Sequence, residues 1–140
     1  MRLKDCHNFR DFRRLAEQRL PSPIFNYIDG GADDEVTMRR NTAAFEACDL
    51  VPSVLRGVTD VDLSVTVMGQ KIDLPVYLSP TALQRLFHHQ GERATAAAAE
   101  KFGTLFGVSS LGTVSMEELA KKHRTPQVYQ FYFHKDRGLN

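Results

Sequence analysis

No apolar run in this chain approaches the roughly twenty residues that a membrane-spanning helix needs. The opening stretch, MRLKDCHNFRDFRRL, has no apolar core of the kind a secretory leader carries. The expected location is therefore cytoplasmic, or peripheral at the inner face of a membrane. No charge of one sign dominates either: 18 Lys and Arg face 17 Asp and Glu, a formal net charge of +1. Nucleic-acid binding normally shows as a clustered basic excess, so no nucleic-acid partner is expected. Cysteine is scarce. Cys6 and Cys48 are far apart and form no C-x-x-C pair, which argues against a disulfide framework or a cysteine zinc site. His88 and His89 are adjacent, so they point in different directions from a helix or strand, and neither has an i, i+4 histidine partner. No metal is expected.

What is present is enough for a core. A chain of 140 residues, 42% of them hydrophobic, has the length and composition of one folded domain. Its first third reads as helical. Asn8 can cap a helix with Phe9, Phe12, Leu15 and Ala16 on one face, ended by Leu20-Pro21. Ser22-Pro23 starts a second helix, in which Ile24, Tyr27 and Ile28 form the apolar stripe. Gly30-Gly31 is expected to close it in the left-handed conformation that glycine tolerates. A third helix is expected to begin in Asp33-Asp34-Glu35, with Val36, Ala43, Ala44 and Ala47 as its buried side.

From residue 50 the pattern changes. VTDVDLSVTVMGQKIDLP alternates apolar and polar residues around Met68-Gly69-Gln70, which suits an antiparallel hairpin. Three apolar runs follow: VYLSP, with strand one at Val76 to Leu78; LFGVSS; and VYQFYF. Continuous apolar runs are what parallel strands show when helices cover both faces of their sheet. Helical stretches separate them. Gly91 to Phe102 places Thr95, Ala98, Ala99 and Phe102 on one face and stops at Gly103. Ser115 and Glu118 form an S-x-x-E capping box, with Lys121 and Lys122 near the negative end of the same helix. After strand three, HKDRGLN reads as the opening of another helix. The expected organisation is helices over 1–49, a hairpin region over 50–74 and a partial βα array over 75–140. Three strands needing cover on both faces make a poor finished sheet, so a partner or a longer chain is expected to complete it. Polar residues at the ends of parallel strands share one rim, where α/β proteins build their sites.

With the strands placed, specific motifs stand out: FNYIDGGADDE followed by RRNTAAF, then LSPTALQR, GER, VSS with SMEELA, and QFYFHKDRG. In this order and spacing, from Phe9 to Gly138, they resemble the N-terminal part of the FMN-dependent α-hydroxy-acid oxidase and dehydrogenase family. The resemblance implies a (β/α)8 barrel with FMN across its C-terminal rim, of which this chain would supply the preceding helices and the first three βα units. It also implies site residues. Pro80, Thr81 and Ala82 match the loop that lies against the flavin, and Ser109 and Gln130 match residues that hydrogen-bond its ring. Tyr27 and Tyr132 match the two tyrosines that contact substrate, with Tyr132 in a catalytic role. Each has a competing structural reading. Tyr27 lies on an apolar stripe and could be core; Gln130 could be a satisfied buried amide; Ser109 and Thr81 could cap the elements that follow them.

The implied substrate is a small L-2-hydroxy acid, oxidised to a 2-oxo acid. Glycolate oxidases usually carry a tryptophan where this chain has Leu111, and the Asp-Gly-Gly-Ala turn is closer to lactate and mandelate dehydrogenases. Lactate or a similar acid is therefore favoured over glycolate. In the family a late histidine abstracts the proton and an arginine clamps the carboxylate, while a lysine and the last loops hold the flavin. None of those segments is in this sequence, and His123 and His134 lie outside the matching motif. The fragment is therefore expected to be inactive alone. It would need the remaining barrel segment from the same or another chain, and would form a homo-oligomer when complete. The alternative is a non-catalytic remnant or interaction module that pairs with another chain.

Overall fold

Helix α1 (Phe9–Arg19) begins where the Asn8 side chain accepts a hydrogen bond from the Asp11 amide at 3.0 Å. This satisfies one of the donors that a helix start leaves open. The computed structural model describes residues 2–139 and divides into two compact units, Met1–Val58 and Thr59–Asn140. The first contains α1, α2 (Ser22–Asp29) and α3 (Val36–Glu46). Leu20 is extended before Pro21, and Pro23 sits in the first turn of α2, where its missing N–H costs nothing. Arg13 grips the Asp29 carboxylate through Nε and Nη2 at 2.5 and 2.7 Å, tying α1 to α2, and Arg10 reaches Glu46 of α3 at 3.2 Å.

The apolar stripes of this unit bury less than their periodicity predicts. Leu15 and Phe25 are the buried hydrophobic residues here, whereas Phe9, Phe12, Tyr27 and Ile28 are exposed. Val36, Ala43, Ala44 and Ala47, the expected buried side of α3, are all exposed. An amphipathic stripe states which side can be buried, and only a packed neighbour buries it. The turn before α3 also differs from expectation. Gly30 is extended, with its N–H bonded to the Asn26 carbonyl at 3.2 Å. The left-handed residues are instead Asp33 and Glu35, so α3 starts at Val36 rather than within the acidic triplet. The Glu35 carboxylate accepts from the Gly31 amide at 3.0 Å and closes that turn.

The second unit opens with the hairpin β1 (Val65–Val67) and β2 (Gln70–Ile72), in register Val65 with Ile72 and Val67 with Gln70. Met68 and Gly69 both have positive φ, the mirror-image turn whose twist matches the strands it joins. α4 (Gln84–Phe87) and α5 (Glu92–Lys101) precede β3 (Phe106–Val108), and α6 (Met116–Lys122) connects it to the parallel β4 (Gln127–Tyr129). α5 ends in a Schellman arrangement. The Thr104 amide returns to the Ala99 carbonyl and the Gly103 amide to Glu100, with Gly103 left-handed. Ser115 caps α6 by accepting from the Glu118 amide at 3.2 Å.

The core of this unit is Ala96, Ala99, Phe106, Val108, Val114 and Leu119, with Leu78 and Met116 packed against it. The expected face of α5 is thereby rotated. Glu92, Ala96 and Ala99 point inward at i, i+4, i+7, whereas Ala98 and Phe102 are exposed. Strand one is also shorter than its apolar run predicts. It is reduced to a single parallel bridge between Leu78 and Phe106, and Val76 and Tyr77 are exposed. Pro75 has no N–H, the Val76 N–H turns back to the Leu74 carbonyl, and the Val76 carbonyl is taken by the Thr104 hydroxyl. The class is α/β with a small sheet and no closed barrel among the described residues. The expected terminal helix is a single 3-10 turn over Arg137–Leu139; Asn140 lies outside the described residues. No helix among them is long and apolar enough to cross a membrane.

Candidate functional site

The parallel pairing decides which residues share a rim. Leu78 pairs with Phe106, and Val108 pairs with Tyr129, so Pro80, Ser109 and Gln130 all follow the C-terminal ends of parallel segments. The Gln130 amide extends the ladder by one bond, to the Val108 carbonyl at 2.9 Å. Gly107 makes the close approach possible. A Cβ there would lie 2.7 Å from Pro80 Cδ and 2.9 Å from the Leu78 carbonyl oxygen, so only glycine lets the first loop lie against β3. The Leu83 amide then laces this loop to the one after β3 by donating to the Leu111 carbonyl at 3.1 Å, and within the first loop the Gln84 side chain donates to the Thr81 carbonyl at 3.3 Å.

Along this rim the polar side chains form a relay. The Leu111 amide donates to Ser109 Oγ at 3.1 Å, and Ser109 Oγ donates to Gln130 Oε1 at 3.0 Å. Gln130 Nε2 in turn donates to the Tyr132 hydroxyl at 3.3 Å. β4 ends at Tyr129, short of the expected run VYQFYF, so it is this hydrogen bond and not strand alternation that brings residues 130 and 132 together. Ser109 is buried, Gln130 is half-buried and Tyr132 is 57% exposed, so the relay runs from the core to the surface. Pro80 and Thr81 are exposed and Ala82 is half-buried. The Ser110 hydroxyl beside Ser109 is buried and has no hydrogen-bond partner. It lines a concavity of about 410 Å³ together with Ser109, Ser115 and Tyr129, whose lining does not include Pro80, Thr81, Ala82, Gln130 or Tyr132. Those residues stand on an open rim.

Of the residues singled out from the sequence, Pro80, Thr81, Ala82, Ser109, Gln130 and Tyr132 belong to the second unit; Tyr27 belongs to the first and is exposed on α2. His123 is held elsewhere, with Nδ1 2.9 Å from Glu100 Oε2, and that contact helps to keep the Glu100 carboxyl below its ordinary range. Sequence reasoning missed Glu92 and Thr113. Glu92 is a fully buried carboxylate at the first turn of α5. An acidic residue there reads as a dipole partner in solvent. Its i, i+4, i+7 relation to Ala96 and Ala99 was the available signal that it faces inward.

Comparison with known proteins bears on what this rim can hold. The family model described as FMN-dependent dehydrogenase matches residues 16–140. A glycolate oxidase of Oryza sativa subsp. indica is 39% identical over 132 residues, which cover 94% of this chain and 36% of that protein. An L-lactate oxidase of Nostoc sp. is 41% identical over 136 residues, 94% of this chain and 37% of its own length. The crystal structure of a mandelate oxidase variant with an FMN adduct superposes with a TM-score of 0.82 at 35% identity, covering 92% of this chain and 39% of that one. The chain thus spans a little over a third of the curated relatives it matches.

Proposed function

The chain belongs to the FMN-dependent dehydrogenase family, and from that premise we propose that it forms the N-terminal part of an enzyme that oxidises L-2-hydroxy acids to 2-oxo acids. The observation that carries this reading is the convergence of Pro80–Ala82, Ser109 and Gln130 on one rim, because these are the residues whose types match the family's flavin contacts. The rim suits a flavin in its chemistry. Glycine at 107 lets backbone from residues 80–82 approach, and Gln130 offers an amide with donor and acceptor.

When bound, FMN supplies the two-electron acceptor for the reaction. This chain's part is positioning. Ser109, fixed by the Leu111 amide, orients the Gln130 carboxamide, and Gln130 in turn occupies the oxygen of the Tyr132 hydroxyl. That leaves the phenol proton to be donated to a substrate carboxylate or to oxygen on which charge develops. Tyr27 would supply the second tyrosine contact. Leu111, at 55% exposure on the rim where glycolate oxidases carry tryptophan, leaves room for a side chain larger than that of glycolate and favours lactate. The complete protein is read as a (β/α)8 barrel, with this chain contributing its first three βα units, and as a homo-oligomer. The relatives are oxidases of glycolate and L-lactate, which does not favour the interaction-module alternative.

Flavin titration tests the reading. The purified chain should retain FMN weakly or not at all alone, because the family's phosphate-anchoring segments lie in later parts of the barrel. Combined with those segments it should turn yellow, and L-lactate should bleach it. Absence of flavin binding in the combined protein would sink the proposal, and tight stoichiometric binding by the chain alone would overturn the account of anchoring. In the combined protein, Tyr132→Phe should lower turnover about 100-fold or more, the scale of a lost transition-state hydrogen bond. Its unfolding midpoint should be unchanged. A variant that unfolds instead would make Tyr132 a core residue.

A further inference from the structure

Glu92 is a carboxylate wholly withdrawn from solvent, and among the described residues no cation lies within ion-pairing distance of it. A buried charge without a counter-ion persists only where hydrogen bonds replace its water. Here the strongest come from one residue of the loop after β3, with the backbone of Glu92 and Gln84 adding to them. Glu92 Oε1 accepts from the Thr113 amide at 2.8 Å, and Oε2 accepts from the Thr113 hydroxyl at 2.5 Å. Because that hydroxyl gives its proton to Glu92, its lone pair is free to accept from the Arg85 amide at 3.2 Å, at the start of α4. Burial is the largest single influence on this carboxyl and pushes its pKa up. The Thr113 side chain and amide, with the backbone of Glu92 and Gln84, outweigh it and hold the group below its ordinary range. The side chain is therefore ionised at neutral pH.

From the same helix, Thr95 Oγ1 donates to Gln84 Oε1 at 2.5 Å, and Gln84 donates on to the Thr81 carbonyl. The first two turns of α5 thus hold both loops that carry the rim. Packing alone would not select a carboxylate at position 92. Two donors of Thr113 converge on two acceptors, and a carboxylate is the side chain that presents two acceptors and no donor. We propose that Glu92 is a positioning residue: acting through Thr113, it locks the loop after Leu78 and the loop after β3 in one register, so that Pro80–Ala82 and Ser109 keep the spacing a flavin ring requires. This rests on the reading of the rim as a flavin platform.

Amide hydrogen exchange on the purified chain tests it without flavin. A glutamine at 92 removes the charge, and its Nε2 can face the Thr113 hydroxyl only if that hydroxyl turns to accept, so a charge-assisted pair becomes a neutral one. Glu92→Gln should therefore speed exchange at Leu83, Arg85 and Thr113 about tenfold, the difference between a charge-assisted hydrogen bond and a weakened neutral one. Phe106 and Val108 should keep their wild-type protection. If Glu92→Gln does not fold, the threonine variants decide: Thr113→Val should loosen Arg85, and Thr113→Ser, which keeps the hydroxyl, should not. Unchanged exchange at the rim overturns the inference, and so does equal loss at the rim and in β3. FMN affinity of the chain combined with the later barrel segments separates the two readings. A wild-type protein that binds FMN and a Glu92→Gln variant that binds about tenfold more weakly support both; equal affinity overturns the role of Glu92. If the wild-type protein binds no FMN, the platform reading fails, and the exchange pattern still decides whether Glu92 positions the loops.

Discussion

The two units of this chain use apolar residues in opposite ways. In the second, Phe106 is 0% exposed and sits among Ala96, Ala99, Val108 and Leu119, so a few short elements close over a shared centre. In the first, Phe45 is 84% exposed and Phe9 and Phe12 are also exposed, although α1 has a clear apolar side. Ion pairs between side chains, Arg13 with Asp29 and Arg10 with Glu46, link the helices of the first unit. Surface pairs of this kind contribute little, whereas buried area contributes in proportion to its extent. The sheet unit is therefore the part whose stability resides in its own packing.

The sharpest way to break this contrast is to remove one ring from each side. Phe106→Ala should cost about 3–5 kcal/mol, the usual range for a buried phenylalanine, and should abolish cooperative unfolding of the sheet unit in urea. Phe12→Ala, on a side chain 49% exposed, should change the unfolding midpoint by less than about 1 kcal/mol. Similar costs at the two positions would show that the first unit buries more in solution than its exposure implies.

A backbone test follows at smaller magnitude. Gly103 and Gly57 are both left-handed, at φ +59 and +61. At Gly57 a Cβ would meet nothing within 4 Å, while at Gly103 it would run into the Asp73 carboxylate. Gly57→Ala should cost only the intrinsic penalty of about 1–2 kcal/mol for a left-handed alanine. Gly103→Ala should cost more, because Asp73 must also move and its amide is bonded to the Gly103 carbonyl at 2.8 Å. Thermal melts of the two variants measure the difference. Equal shifts would mean that Asp73 yields without resistance.

Local signals were legible in the sequence wherever one residue or one turn decides the outcome. The Asn8 and Ser115 caps, the Met68-Gly69 hairpin turn and the Gly103 stop each depend on chemistry within a few residues. The rim was legible for a related reason: parallel strands put their ends on one side, which is where Pro80, Ser109 and Gln130 lie. Tertiary choices were not. Which side of α5 turns inward depends on β3 and α6, and the periodicity of an alanine-rich helix leaves more than one face available. The length of strand one depends on where Pro75, Val76 and Thr104 direct their hydrogen bonds. Glu92 was hidden because an acidic residue at a helix start has an ordinary solvent-exposed explanation.

The smallest effect compares the two units through their carboxylates. Glu118 is gripped by Arg93 at 2.7 Å and by Lys122 at 2.9 Å, and those hydrogen bonds hold its pKa down from the ordinary 4.5 to about 2. Asp29 is lowered in the same direction by its hydrogen bonds from Arg13. A carboxyl whose folded pKa lies below its unfolded value contributes stability that is complete above the unfolded pKa. For Glu118 that contribution is complete above 4.5 and is lost as the pH falls through about 2. Urea midpoints measured from neutral pH downwards should therefore differ between wild type and Glu118→Gln most at neutral pH and least near pH 2. Asp29→Asn should narrow its own gap in the same direction. Both gaps should shrink in high salt, because these side chains are partly solvated and screening reaches them. A Glu118 gap that stays constant with pH would show that the Arg93–Glu118–Lys122 cluster holds α5 to α6 by shape, with charge contributing nothing.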